Sequence, residues 1–194
     1  MRKFPFMSLG FFFLSILWFV YVTITFGTTE DNTILYQNGA ILGTYFTPSE
    51  WWRLISPIFA HIGVPHLVSN MVLLLTLGTL IEKIIGHLKF SLLYIISGVG
   101  GNLAVILLNP DTITAGASTA LYGLLGFLFI QLFNKHNHIL RNVGFSYIGL
   151  ITINMFYTFT NPNVSLVGHL GGFITGILFG LIELDQNFTN FDIK

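Results

Sequence analysis

Cysteine is absent from the 194 residues. That excludes disulfides, thiol nucleophiles and cysteine-bound metals, and it leaves the redox compartment unreadable. Charge is scarce as well: only 8% of residues are Asp, Glu, Lys or Arg, against roughly 25% in ordinary soluble domains. A soluble protein with so little charge would lack the polar surface it needs, so an integral membrane protein is expected. The few charges cancel, eight basic against eight acidic, which leaves no argument for nucleic acid or another strongly charged partner. No HExxH occurs, so a zinc-dependent membrane protease is not expected.

Apolar residues are plentiful, at 53% of the chain. A bilayer core of ~30 Å needs about 20 mostly apolar residues per helix. Six segments qualify, roughly 6–27, 60–81, 90–108, 115–133, 143–160 and 165–184. The first follows a basic start, MRKFPF, and could pass for a secretory signal. Its run reaches Phe26, and no small-residue cleavage site follows at TFGTTED, so a retained helix is expected. The expected fold is an all-α integral membrane protein, a compact bundle of six transmembrane helices forming one domain over 1–194. No soluble domain is expected at either end, and the one sizeable loop is 28–59.

Lysine and arginine orient the bundle, because cytoplasmic loops retain them. Arg2, Lys3, Lys83, Lys89, Lys135, Arg141 and Lys194 fall on one side, and only Arg53 on the other. Both termini are therefore expected in the cytoplasm and the 28–59 loop outside. Glu82, Glu183 and Asp185 then lie at inner helix ends and Asp111 in an outer turn, so no carboxylate lies in mid-span. A two-aspartate mechanism has no residues to use, and an ion-coupled carrier or channel lacks its usual intramembrane carboxylates.

In this orientation the second, fourth and sixth spans begin at one depth near the outer face, with their positive dipole ends toward it. Their polar residues cluster there: His66 and Asn70, Ser118, and His169. Serine in a membrane helix is most often a packing residue bonded back to a carbonyl. Ser118 lies among Gly116, Ala117, Ala120 and Gly123, which suits close helix contact and equally leaves room for a substrate backbone. His169 flanks a ridge of glycines at 168, 172, 176 and 180, a small-xxx-small surface for the fourth span. An ionisable group at membrane depth points to function, although a histidine hydrogen-bonded at the interface is the alternative. Tyr122 is four residues after Ser118 on the same face, placed either to pack on that imidazole or to serve as a core tyrosine. His66 and Asn70 share a face at i, i+4 and can both donate hydrogen bonds, as an oxyanion site requires. His61 has no evident role. Trp51, Trp52 and Arg53 suggest interfacial anchors, and with no Asp beside His169 a hydrolase here would use a Ser–His dyad.

In this order, WWRLISPIFAHIGVPHLVSNM, AGASTALYGLLG and GHLGGFITGILFG resemble the rhomboid intramembrane serine proteases, over about residues 45–184. The resemblance implies Ser118 as nucleophile and His169 as general base, with Tyr122 stacked on the histidine. It implies an oxyanion site from His66, Asn70 and the Ser118 N–H. Gly116 matches the first glycine of the serine motif, Gly172 and Gly176 the glycines allowing close helix approach, and Trp52-Arg53 a supporting pair in the outer loop. No cofactor and no metal are implied, and the substrates would be single-span membrane proteins cut near the outer face. One residue departs from the pattern: Thr119 stands where glycine usually follows the nucleophile, and is expected to reshape the first turn or narrow the substrate approach. The rival reading is a non-catalytic rhomboid-like protein that binds membrane clients. A bacterial plasma membrane is the expected location.

Overall fold

The computed structural model describes residues 4–161 and 164–184. Arg2, Lys3, Asp185 and Lys194, which enter the charge argument, lie outside the described residues. The first helix, α1 (Phe6–Phe26), buries only Ser8, Ser15 and Val22, a stripe spaced by seven residues. Phe13, Leu17 and Ile24 on its other faces are exposed, as lipid-facing residues are. Its start is held by the buried Glu82 carboxylate, which accepts from the Met7 and Ser8 N–H groups at 2.9 and 2.8 Å. An anion at that positive helix end is favourable.

The 28–59 loop is ordered by its own polar chemistry. Asp31 caps α2 (Asn32–Gln37) by accepting from the Thr33 and Ile34 N–H groups. Strand β1 (Ile41–Leu42) pairs antiparallel with β2 (Ile113–Thr114), Ile41 opposite Thr114. Two short 3-10 segments, Pro48–Leu54 and Ser56–Ile58, then lead to the next rod. That rod is α3 (Gly63–Leu73) continued through a π-helical turn, Leu74–Gly78, into α4 (Thr79–Ile85). The chain goes on through α5 (His87–Leu108), α6 (Ser118–Gln131), α7 (His138–Thr160) and α8 (Leu166–Leu184).

Among the described residues four rods are long and apolar enough to cross a membrane: α1, Gly63–Ile85, α5 and α7. The described apolar stretches of α6, Ser118–Gln131, and of α8, Leu166–Ile182, are shorter. At 14 residues, α6 reaches only about 21 Å. Its helix begins at Ser118 and not at 115 because Thr114 is still paired in β2 and Gly116 holds φ +128°. In contrast, α7 begins before 143, because the Asn137 side chain caps it by accepting from the Leu140 N–H at 3.0 Å.

The core is built around α6, in which eleven of 14 residues are buried. It packs mainly on α8 and then on α5. The contact with α8 is backbone to backbone. A Cβ on Gly172 would lie 2.0 Å from the Thr119 carbonyl oxygen, and one on Gly176 1.9 Å from that of Gly123. Gly126 reciprocates against the Phe173 carbonyl oxygen at 2.0 Å. These distances leave no room for any side chain, which is the physical content of the glycine ridge.

Candidate active site

Ser118 is the first residue of α6, and among the described residues no side chain caps that helix start. Its N–H is thus one of the orphan donors at a positive dipole end. The two residues before it are fixed from the segment that leads into α3. Gly116 N–H donates to the Pro57 carbonyl at 2.8 Å, and Ala117 N–H donates to His61 Nε2 at 3.3 Å. His61 is buried, and its Nδ1 bonds the Phe59 carbonyl at 3.0 Å. A carbonyl can only accept, so the proton is on Nδ1 and the lone pair on Nε2 receives Ala117. His61, which had no role in the sequence, holds the turn that presents Ser118. Gly116 is required there twice over: its φ of +128° disfavours a side chain, and a Cβ would lie 2.5 Å from the His66 ring.

His169 lies in the first turn of α8 and is 5% exposed. Tyr122 stacks on it, with ring centroids 3.9 Å apart and planes at 11°. On its other side Nδ1 is 2.9 Å from the Thr158 hydroxyl of α7. That hydroxyl also bonds the Tyr122 hydroxyl, which donates to the Asn154 carbonyl at 2.7 Å. Thr158 went unnoticed in the sequence, where nothing separates it from its neighbouring threonines. Among the described residues no hydrogen bond joins Ser118 to His169; both line the same cavity. Such bonds are often long before substrate binds.

That cavity has a volume of about 700 Å³ and is also lined by His66, Asn70, Tyr122 and Glu30. Asn70 donates one amide proton to the His66 carbonyl at 2.8 Å, and its second amide proton stays available for a ligand. The structure thus brings Ser118, His169, Tyr122, His66 and Asn70 to one space. Thr119 is 1% exposed and is turned away from it, toward Gly101 and Gly168. The expected narrowing of the substrate approach by Thr119 is corrected by that placement. Among the described residues no group of three or more His, Asp or Glu is arranged to hold a metal.

Trp52 and Arg53 are away from the cavity. Arg53 is 6% exposed and faces inward instead of anchoring at a lipid headgroup. Its guanidinium donates to the Tyr36 and Ala40 carbonyls at 2.7 and 3.0 Å and to Glu50 at 3.0 Å. The Tyr36 and Trp52 rings lie 4.1 and 4.3 Å from it, so it staples the outer loop.

A family model, the Rhomboid domain, matches residues 48–186. Rhomboid protease GluP of Bacillus subtilis is 36% identical over 163 residues, 84% of this chain and 32% of that protein. RHOMBOID-like protein 1 of Arabidopsis thaliana is 38% identical over 137 residues, 70% of this chain and 35% of that one. Rhomboid-like protease 3 of Toxoplasma gondii is 30% identical over 142 residues, 72% and 54% respectively. The chain spans about a third of the length of the first two and about half of the third.

Proposed function

This chain belongs to the rhomboid family, a multi-pass integral membrane protein, and from that premise we propose that it is an intramembrane serine endopeptidase. The observation that carries the reading is one cavity lined by Ser118 at a helix N-terminus and by His169 stacked on Tyr122. We take α6 and α8 as the fourth and sixth membrane helices, with both termini cytoplasmic and the cavity near the outer face. The substrates are single-span membrane proteins whose helix unwinds to present an extended segment to Ser118.

In this mechanism the His169 imidazole takes the Ser118 hydroxyl proton as oxygen attacks the scissile carbonyl. The tetrahedral oxyanion receives hydrogen bonds from His66, the free Asn70 amide proton and the Ser118 N–H. Losing one such donor typically costs about 10²–10³ in rate. The proton then passes from His169 to the leaving amine, and water repeats the sequence on the acyl-enzyme. The presence of both a serine and a histidine in one cavity supports this reading over a client-binding role. The test is cleavage of a model single-span substrate in reconstituted vesicles. Wild type yields cut product, while Ser118→Ala and His169→Ala yield none; undiminished cutting by Ser118→Ala overturns the proposal.

A further inference from the structure

Hydroxyls along a membrane helix usually bond the carbonyl four residues back. On α7, Ser146, Thr152 and Thr160 do this, to Asn142, Ile148 and Phe156 at 2.8–2.9 Å. Thr158 differs. The carbonyl four residues before it, Asn154, is occupied by the Tyr122 hydroxyl, and Thr158 bonds outward to Tyr122 and His169. It is 3% exposed, so water does not compete for it.

Donor counting fixes the direction of every bond in this group. The Asn154 carbonyl can only accept, so it takes the one proton of the Tyr122 hydroxyl. Tyr122 must then accept from Thr158, which uses the one Thr158 proton. Toward His169 the Thr158 oxygen has only a lone pair left. Nδ1 of His169 therefore carries the proton, and Nε2 is left as the lone-pair nitrogen.

We infer that Thr158 is the positioning residue of this site, a neutral third member that fixes the tautomer and ring orientation of His169. The inference rests on the Ser118–His169 reading above. A catalytic base must offer its lone pair to the serine, and the wrong tautomer offers an N–H instead. In a soluble hydrolase an aspartate usually makes this choice. A carboxylate buried at membrane depth is costly, and a threonine whose own proton is already committed makes the same choice without charge. Tyr122 holds the ring plane from one face, and Thr158 holds the ring's rotation from its edge. Three helices, α6, α7 and α8, thereby converge on one imidazole.

The test compares wild type with Thr158→Val, which keeps the shape and removes the hydroxyl, and Thr158→Ser, which restores it. In vesicles with a single-span substrate, Thr158→Val is expected to lower kcat about 10–100-fold with KM within about twofold. Thr158→Ser is expected to return kcat to within a few-fold of wild type. Nitrogen NMR of histidine-labelled protein, which needs no activity, is expected to show His169 protonated at Nδ1 in wild type and in Thr158→Ser. Mixed tautomers are expected in Thr158→Val. Full kcat in Thr158→Val, equal loss in Thr158→Ser, or a wild-type His169 protonated at Nε2 would each overturn the inference. Ser118→Ala run alongside separates the two readings: if it cuts like wild type the protease proposal fails, whatever Thr158 does. If Thr158→Val does not fold, the wild-type tautomer and the Thr158→Ser rate still decide.

Discussion

The α6–α8 contact gives the most quantitative handle on this site, through Gly172→Ala. The added Cβ would lie 2.0 Å from the Thr119 carbonyl oxygen, about 1.3 Å short of an ordinary C···O contact of about 3.3 Å. The obstacle is backbone on both sides, so no side chain can rotate away. The two helices must move apart or tilt by about that amount. Thr119 is bonded to Ser118, and Gly172 is one turn after His169, so the displacement falls directly between the two side chains proposed to react. A misplacement of about 1 Å can cost about 10²-fold in rate, and overpacking of this kind costs about 1–3 kcal/mol of stability. The assay pairs cleavage in vesicles with thermal unfolding in detergent for a graded series. Gly149→Ala, with nothing within 4 Å of the new Cβ, should match wild type; Gly168→Ala, whose nearest contact is the Ser165 hydroxyl at 2.9 Å, should be mildly slowed. Gly172→Ala should lose about 10²-fold in the folded fraction. Wild-type cleavage by Gly172→Ala would refute the claim that close backbone contact sets the Ser118–His169 distance.

Two further outcomes follow from side chains near the same turn. His61→Leu keeps the bulk but leaves the buried Ala117 N–H and Phe59 carbonyl without partners, at about 1–3 kcal/mol each; a lowered melting temperature and slower cleavage are expected, and an unchanged melting temperature would show that the turn is held otherwise. Thr119→Gly removes a buried side chain that does not line the cavity, and should cost about 1 kcal/mol through lost packing and added backbone freedom. The ranking of a substrate panel should stay the same, and a reordered panel would show that Thr119 contacts substrate after all.

The parts of this fold legible in the sequence are those governed by one-dimensional spacing. The four-residue glycine period on the sixth segment required a backbone-close partner, and the i, i+4 spacing of His66 and Asn70 put both on one face. Apolar content and scarce charge revealed a membrane protein. The fourth helix starts at Ser118 and not near 115, because hydropathy records composition, whereas the start is set by β2 pairing with β1, some 70 residues earlier. Thr158 was illegible for a related reason. Thr152, Thr158 and Thr160 lie on one apolar helix and look alike, and only the occupied Asn154 carbonyl frees Thr158 to face His169. His61 acts across 56 residues on a backbone N–H, and no side-chain pattern announces a backbone partner. Arg53 seemed an anchor because it borders the membrane, yet the carbonyls it binds come from the end of α2 and the residues after it.

Thr119 shows how one residue beside Ser118 is packed through both its side chain and its carbonyl. The α6 residue after Ser118 meets α8 through its carbonyl, at Gly172, while its side chain points toward Gly101 of α5 and Gly168 of α8. A Cβ on Gly101 would lie 2.6 Å from the Gly168 carbonyl oxygen and 2.7 Å from the Thr119 Cβ, so Gly101 is held small by the α8 backbone as well as by Thr119. Glycine at 119 would therefore not by itself make room for a larger residue at 101. The glycines at 172, 176 and 126 are held in the same way, because each faces a carbonyl that cannot be made smaller. The Thr119 side chain is therefore fitted against α5 and α8 together, and the glycines at 172, 176 and 126 follow the α6–α8 distance. What fixes Ser118 relative to His169 is thus the spacing of two backbones, with Thr158 and His61 tuning what that spacing presents.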